Sequence, residues 1–210
     1  MIEEKVFIPS TGGQLEGLLS MQEASSLRGG VILCHPHPQY GGDMDHPVIT
    51  TAAEVASQER FATLRFNFRG VGRSEGSYGE GIEEMEDVRA AADYLYLKHR
   101  NTHFPLVLVG YSFGAWAGLP IAIEDEKFEA MAAVAPPLEI YDFGFLRGCK
   151  KKKLFLVGSR DFFCPLSVME EWYGGLEEPK SLAVIQGADH FFFSHTRYLV
   201  QPLREFFKTI

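Results

Sequence analysis

Cysteine is scarce in this chain of 210 residues, and its scarcity argues against two classes of protein. The three cysteines, Cys34, Cys149 and Cys164, are too few and too irregularly spaced for a disulfide framework or a Cys-x-x-Cys metal site. Long apolar runs are also lacking, since none approaches the roughly 18 residues that cross a membrane. The N-terminal MIEEKVFIPS has neither the apolar core nor the basic flank of a signal peptide. We therefore expect a cytoplasmic protein with no membrane partner.

Positive charge is also in short supply. Twenty Lys and Arg residues stand against 28 Asp and Glu residues, which leaves a formal net charge of −8. An excess of acid disfavours nucleic acid and anionic membrane surfaces as partners. The basic run at residues 150–153 is predicted to be a solvated loop that protects the apolar strand after it from aggregation.

The apolar residues occur in short runs that end abruptly at Gly, Pro or polar residues, as strands buried on both faces of a parallel sheet do. The predicted strands are GGVILCHPHP, ATLRFNF (62–68), LVLVG (106–110), AMAAVAP (130–136), KLFLVGS (153–159) and LAVIQG (182–187). Helices are predicted between and after them, at PVITTAAEVASQ, EEMEDVRAAADYLYLKH (83–99) and RYLVQPLREFFKTI. An N-terminal hairpin is predicted from KVFIP and LEGLLSM around STGGQ. This alternation predicts an α/β fold with a mainly parallel sheet, in one domain over residues 1–210.

The pattern Gly-x-Ser-x-Gly, typical of a nucleophilic serine, occurs at GRSEG (72–76) and at GYSFG (110–114). The chemistry needs a sharp turn from strand to helix that lifts the hydroxyl above the sheet. Ser112 has this context, with LVLV before it and AWAGL after it. Ser74 is followed by glycines that argue against a helix, so it is predicted to be a loop residue. Pro120, within the helix predicted after Ser112, predicts a kink or a break.

A serine hydroxyl needs a base, and the base needs an acid to orient it. Asp161 in FLVGSRDFFCP and His190 in AVIQGADHFFF each follow a predicted strand. The order Ser112, Asp161, His190 is the one expected for a nucleophile on this kind of sheet. Asp189, the neighbour of the histidine, is poorly situated to face its ring and is predicted to be a turn residue.

The sequence resembles the α/β-hydrolase family over nearly its whole length, in NFRGVGRSEG, GYSFG, GSRDFFCP and GADHFF. HPHPQYGG narrows the resemblance to small serine hydrolases related to dienelactone hydrolases and prolyl-peptidase-like esterases, although dienelactone hydrolase has a cysteine in place of Ser112. The resemblance implies an α/β-hydrolase fold with an eight-stranded, mostly parallel sheet and helices on both faces. Only PLEIYDFGFLRGCKK separates the sixth and seventh strands, so no large cap domain is expected. Whether residues 137–152 act as a short lid is left open.

The stretch CHPHPQYGGDMDHP holds His35, His37 and His46 beside two aspartates and allows two interpretations. In the family, the loop after the third strand and the residue after the nucleophile supply backbone N–H groups for the oxyanion. Aligned on the family motif, these residues are His37 and Phe113. The alternative is a metal-dependent hydrolase that uses the three histidines. Because the pattern differs from contiguous metal motifs, we predict no metal, and His46 is predicted to cap or adjoin a helix.

Together these features predict a serine hydrolase, most simply a carboxylesterase of small esters that acts through Ser112, His190 and Asp161 and an acyl-enzyme. No cofactor is expected. Substrate contacts are predicted from the aromatic residues Tyr40, Tyr111, Phe162 and Phe191. A thioesterase or peptidase with the same triad, the metal-dependent hydrolase, and a non-catalytic binding protein remain alternatives, and the oligomeric state is unknown. Arg69 and Arg73, and the histidines at positions 99, 103 and 195, are predicted to be structural.

Overall fold

The structure is a computed structural model that describes residues 2–22, 27–99 and 104–210. Its strands form an eight-stranded sheet in the order β1-β2-β4-β3-β5-β6-β7-β8. The strands are β1 (Ile2–Ser10), β2 (Gly13–Met21), β3 (Gly29–Cys34), β4 (Phe61–Phe66), β5 (Leu106–Tyr111), β6 (Phe128–Val134), β7 (Lys152–Gly158) and β8 (Lys180–Ile185). The predicted α/β fold with a mostly parallel sheet is therefore confirmed.

The first two strands of the sheet pair differently from the other six. The β1–β2 hairpin is antiparallel, as its alternating pattern predicts, and β2 also pairs antiparallel with β4. From β4 to β8 all pairs are parallel. The central strands β3 and β5 are buried at every position, which explains their continuous apolar runs. Because β3 to β8 share one direction, the loops that follow them meet at one edge of the sheet.

Helices cover both faces of the sheet, and each face has its own hydrophobic core. The helices are α1 (Pro47–Gln58), α2 (Ile82–Lys98), α3 (Phe113–Glu124), α4 (Leu166–Gly174) and α5 (Val200–Lys208). Side chains of α1 and α5 pack on one face of the sheet, and those of α2, α3 and α4 pack on the other. Residues 135–151, all of them described, contain the short 3-10 turn Gly144–Leu146 and no cap domain.

Three prolines of the described residues lie in α-helices, and they occupy different positions in them. Pro47 is the first residue of α1, where its missing N–H costs nothing. Pro202 lies in the first turn of α5. Pro120 lies inside α3, which nevertheless continues from Phe113 to Glu124, so the helix does not break there.

The prediction that residues 150–153 form a solvated loop holds for Lys150, which is exposed and precedes the strand, and is wrong for the lysines after it. Lys152 and Lys153 begin β7, and Lys153 is fully buried. The Lys153 ammonium group donates to the carbonyls of Glu177 and Pro179, and that of Lys151 donates to the carbonyls of Ala122 and Asp125 at the end of α3. These cations satisfy carbonyl groups at the end of a helix and in a connecting loop, which is favourable for positive charge.

Among the described residues, no helix is both long enough and apolar enough to cross a lipid bilayer.

Candidate active site

The sharp turn between β5 and α3 presents Ser112. The strand ends at Tyr111 and the helix begins at Phe113, so one residue makes the whole change of direction. Ser112 has φ 53° and ψ −118°, a conformation that favours glycine over any residue with a Cβ. The strain at this residue is the local cost of projecting its hydroxyl beyond the edge of the sheet.

Two glycines make room for the turn. A Cβ on Gly110 would lie 2.4 Å from the Cα of Ala115, in the first turn of α3. A Cβ on Gly114 would lie 2.2 Å from the carbonyl oxygen of Cys34, at the end of β3. Both distances are far below van der Waals contact, and the obstructing atoms belong to the backbone. The glycines of GYSFG are therefore required by the close approach of α3 to the sheet.

The structure brings the three residues Ser112, His190 and Asp161 together. The Ser112 Oγ lies 2.9 Å from Nε2 of His190. The other ring nitrogen, Nδ1, lies 2.9 Å from Oδ2 and 3.0 Å from Oδ1 of Asp161. Since the carboxylate accepts the Nδ1 proton, Nε2 is the nitrogen free to accept the serine proton. The imidazole thus connects a hydroxyl to a buried carboxylate.

The carboxylate of Asp161 is held in position by hydrogen bonds within its own loop. Asp161 Oδ1 accepts hydrogen bonds from the backbone N–H groups of Phe163 and Cys164, each at 2.9 Å. The rival carboxylate, Asp189, instead accepts from the N–H groups of Phe191 and Phe192, each at 3.1 Å. Asp189 therefore holds the turn after β8, as predicted, and Asp161 is the acid on the histidine ring.

The histidine loop is also fastened to the strand that carries the serine. The Tyr111 hydroxyl donates to the carbonyl of His190 over 2.9 Å. Burial raises the pKa of Tyr111 well above its ordinary value, so its phenol remains a donor across the physiological range. Tyr111 was predicted to contact substrate, and its ring does border the pocket, but its hydroxyl positions the imidazole.

The second Gly-x-Ser-x-Gly match has a structural function. The Ser74 hydroxyl donates to the carbonyl of Asn67 over 2.7 Å and accepts from the N–H of Glu16 over 2.9 Å. The neighbouring Arg69 is buried in an ion pair with Asp87 over 2.7 Å, so it packs the loop after β4. The hydroxyl of Ser74 has its hydrogen bonds inside the fold, away from the pocket that contains Ser112.

The loop after β3 is held by an uncharged histidine. His35 is fully buried, and burial lowers the pKa of its ring to about 4. Its Nδ1 donates to the carbonyl of Pro36 over 2.6 Å, and its Nε2 accepts from the N–H of Phe68 over 3.0 Å. Nδ1 thus fixes the ring within its own loop, and Nε2 ties this loop to the one after β4.

The other two histidines of the loop accept backbone hydrogen bonds. His46 is the N-cap of α1, as predicted, and its Nδ1 accepts from the N–H of Val48 over 3.2 Å. His37 Nδ1 accepts from the N–H of Gln39 over 3.2 Å, and its Nε2 lies 3.3 Å from the hydroxyl of Tyr78. Within residues 2–22, 27–99 and 104–210, no group of three or more His, Cys, Asp or Glu side chains has the arrangement of a metal site.

The backbone on two sides of Ser112 borders the space in front of its hydroxyl. Phe113 is the first residue of α3, so its N–H has no carbonyl one turn earlier in the helix to bind. His37 lies across the pocket, with its ring 4.8 Å from that of Phe113. Pro36 and Pro38 have no N–H, so His37 carries the amide of this tripeptide.

Ser112 and His190 open onto a pocket of about 450 Å³. Its walls come from the turn of Ser112 and from the four loops after β3, β6, β7 and β8. The residues that line it are Pro36, His37, Tyr40, Gly41, Gly42, His46, Tyr111, Ser112, Phe113, Pro137, Ile140, Tyr141, Phe163, His190 and Phe191. Three of the four predicted substrate contacts, Tyr40, Tyr111 and Phe191, are among them. Phe162 is not, because its ring turns outward and lies against Phe163, which lines the pocket instead.

A family model described as serine aminopeptidase, S33 matches residues 25–152, more than half of the chain. An α/β serine hydrolase homologue from Coxiella burnetii is 31% identical, with a TM-score of 0.88, over 98% of this chain and 97% of that one. The chain belongs to the serine aminopeptidase S33 family of α/β hydrolases. The matched range includes Ser112 but ends before Asp161 and His190.

Two more solved structures resemble this α/β hydrolase over its whole length. A protein from Agrobacterium tumefaciens is 29% identical with a TM-score of 0.91, and the match covers 98% of this chain and 95% of that one. XC6422 from Xanthomonas campestris, described as an α/β serine hydrolase without a lid, is 26% identical with a TM-score of 0.87, over 99% and 94%. The resemblance to the α/β-hydrolase family and the expected lack of a large cap are thereby confirmed, whereas the narrower resemblance drawn from HPHPQYGG stays a prediction.

Sequence reasoning missed one wall of the pocket of this hydrolase. Pro137, Ile140 and Tyr141 line it and come from the connection between β6 and β7. The sequence did not show whether this connection acts as a lid. The Tyr141 ring stacks on Trp116 of α3 at 4.4 Å. The segment therefore forms one side of the pocket, and its aromatic residue could have been suspected only from its position after a strand end. His99 and His195 lie outside the pocket, and position 103 lies outside the described residues.

The strain at Ser112 predicts an unusual order of stability among variants. We expect Ser112→Gly to be more stable than Ser112→Ala by about 1 kcal/mol, because relief of about 1–3 kcal/mol of backbone strain exceeds the entropic cost of glycine. Urea denaturation of both variants measures the difference. At Ser20, in regular strand β2, the same pair should show the opposite order. An alanine variant at Ser112 that is the more stable of the two contradicts the strain.

Proposed function

We propose that this hydrolase is a serine carboxylesterase of small, uncharged esters. The observation that carries the proposal is the continuous hydrogen-bonded path from Ser112 through His190 to Asp161, with its serine end open to the pocket. A hydroxyl activated in this way attacks carbonyl carbon. Small esters fit a pocket of about 450 Å³ without a lid.

Acylation uses the two ring nitrogens of His190. His190 Nε2 takes the proton of Ser112 as Oγ attacks the ester carbonyl, and Asp161 stabilises the imidazolium through Nδ1. The carbonyl oxygen becomes an oxyanion that the N–H groups of His37 and Phe113 would bind. His190 then gives its proton to the departing alcohol oxygen as the bond to the carbonyl carbon breaks.

Deacylation repeats the same steps with water in place of the serine. His190 accepts a proton from water, the resulting nucleophile attacks the acyl-enzyme, and Ser112 leaves with the proton returned by the ring. The acid product is released and the first state is restored. The side chains, the backbone N–H groups and water suffice for every step, so the proposed chemistry needs no cofactor.

The pocket chemistry favours a neutral substrate. Among the described residues that line it there is no Asp, Glu, Lys or Arg. Burial lowers the pKa of His37 and of His46, and burial raises that of Tyr141 to about 12, so these groups are uncharged near neutral pH. An aminopeptidase would need a carboxylate for the substrate ammonium group, and a carboxylate substrate would need a cation. Neither partner lines this pocket.

The strained serine argues against the non-catalytic alternative. A binding protein on the same scaffold would have no use for a residue at φ 53° and ψ −118° whose hydroxyl points at an imidazole. Thioesters and short peptides would react by the same steps. The lack of charge in the pocket favours esters over either a peptide terminus or a polyanionic thioester.

The nucleophile is tested by comparing the two serines of the repeated motif. Ser112→Ala should reduce hydrolysis of p-nitrophenyl butanoate to background, whereas Ser74→Ala should retain most of it, since Ser74 supports only the loop after β4. A fluorophosphonate probe should label the intact protein and the Ser74 variant but not the Ser112 variant. Near-full activity after Ser112→Ala would refute the proposal.

The oxyanion donors are tested at His37, where the backbone φ of −53° already suits proline. His37→Ala keeps the N–H and should retain activity within about tenfold, while His37→Pro removes it and should lower kcat by about a hundred- to a thousandfold. Circular dichroism should show both variants folded. The metal alternative predicts that the two variants are equally inactive, and that result would contradict the oxyanion interpretation.

Substrate charge is tested with matched aliphatic esters. Ethyl pentanoate should be hydrolysed with a kcat/KM at least about a hundredfold higher than ethyl norvalinate, because an unpaired ammonium group in this pocket costs several kcal/mol. Monoethyl succinate should lose a similar factor against ethyl butanoate. The assay is run at a pH where the amine stays protonated. Faster hydrolysis of norvalinate would favour an aminopeptidase instead.

A further inference from the structure

Three phenylalanine rings stand exposed at the edge of the pocket. Phe191 and Phe193, in the loop after β8, are 42% and 72% exposed and stack at 5.7 Å. Phe162, in the loop after β7, is 58% exposed and lies 6.4 Å from Phe191. We call Phe162, Phe191 and Phe193 the rim patch. Such a group of aromatic rings in water is unfavourable for the protein by itself.

The backbone of the β8 loop is strained in a way that exposes these rings. Phe192 has φ 55° and Ser194 has φ 62°, both in the left-handed region that favours glycine. Phe192 is buried beneath the loop, and its neighbours on either side point into solvent. The strained conformation therefore buries one ring and presents two, and strain of this kind concentrates at functional sites.

The rim patch is continuous with the pocket. Phe191 belongs to both, since it lines the pocket and contacts the other exposed rings. Phe163 lines the pocket from below and lies 4.0 Å from Phe162. An apolar chain that leaves the pocket on this side meets aromatic surface without a gap.

The proton transfer to the leaving group determines which part of the ester lies on the side of the rim patch. The oxygen of the departing alcohol must reach His190, because this ring donates the proton to it. The rings next to His190 are Phe163 at 4.8 Å and Phe191 at 5.7 Å. The oxyanion lies toward His37 and Phe113, on the other side of the serine. The alcohol part of the ester therefore extends past His190 toward the rim patch.

We propose that the rim patch binds the alcohol part of the substrate, and that the preferred esters carry an uncharged alkyl or aromatic alcohol long enough to extend out of the pocket. This inference rests on the proposed esterase function. It adds a second apolar subsite to the pocket, on the leaving-group side, and it identifies Phe193 as a residue that determines specificity without lining the pocket.

Two series of esters test the inference. In the first the acid is acetate and the alcohol grows from ethanol to hexanol, and in the second the alcohol is ethanol and the acid grows from acetate to hexanoate. Simple alkyl alcohols leave equally well, so differences in kcat/KM report contact. Full burial of a methylene group is worth about fourfold and one-sided contact about twofold, so the four additional methylene groups of hexyl acetate should raise kcat/KM over that of ethyl acetate by about fifteenfold.

Phe193→Ala should lower the ratio of hexyl to ethyl acetate to about threefold, since part of the aromatic surface is lost. The ratio of ethyl hexanoate to ethyl acetate should not change. Phe7→Ala is the control, because Phe7 is an exposed phenyl ring on β1, at the opposite edge of the sheet from β8 and far from the pocket. This control should leave both ratios as they are in the intact protein.

Two results would overturn the inference while leaving the esterase in place. If Phe193→Ala lowers the ratio of ethyl hexanoate to ethyl acetate in kcat/KM, the acid part of the ester lies on the rim patch. If it changes neither ratio while esters are hydrolysed, the patch serves another occupant, such as a second copy of the chain or a lipid surface. Failure of the esterase itself is recognised separately, because the intact protein would then hydrolyse none of these esters.

Discussion

The site depends on how closely α3 approaches the sheet. Gly110 and Gly114 leave so little space that a single methyl group at either position would collide with backbone. This contact forces the chain to reverse within one residue, and the reversal puts Ser112 into a conformation that a serine seldom adopts. The position of the hydroxyl is therefore set by packing between a helix and two strands, and not by the serine itself.

The partners of that hydroxyl come from distant parts of the chain and meet because the strands are parallel. His37 follows β3, Ser112 follows β5, Asp161 follows β7 and His190 follows β8. Each loop is then fixed by hydrogen bonds of its own, such as those from the Phe68 N–H to the His35 ring and from the Tyr111 hydroxyl to the His190 carbonyl. A parallel sheet thus aligns the four loops coarsely, and these hydrogen bonds fix their relative positions.

The parts of this arrangement that depend on local pattern could be predicted from the sequence. LVLVG (106–110) predicts β5, observed at Leu106–Tyr111, and the contrast between a helix and a glycine-rich loop favours Ser112 over Ser74. What depends on side-chain direction could not be predicted. Whether Phe162 or Phe163 faces the pocket is decided by a turn, and Lys153 is buried because carbonyls from residues 177–179 happen to lie beside it.

The distribution of charge determines what an approaching molecule meets before it reaches the pocket. Lys151, Lys153 and Lys180 direct their ammonium groups at backbone carbonyls, so part of the positive charge counted in the sequence is turned inward. Carboxylates are turned inward as well, at Glu84, Asp87 and Asp161, so the surface that a solute approaches keeps the net negative charge counted in the sequence, formally −8. Its electrostatic potential repels anions at a distance, before any contact with the pocket is made. Selection among solutes would thus begin in the surrounding water, where long-range repulsion lowers the local concentration of acids and polyanions and leaves that of neutral molecules unchanged.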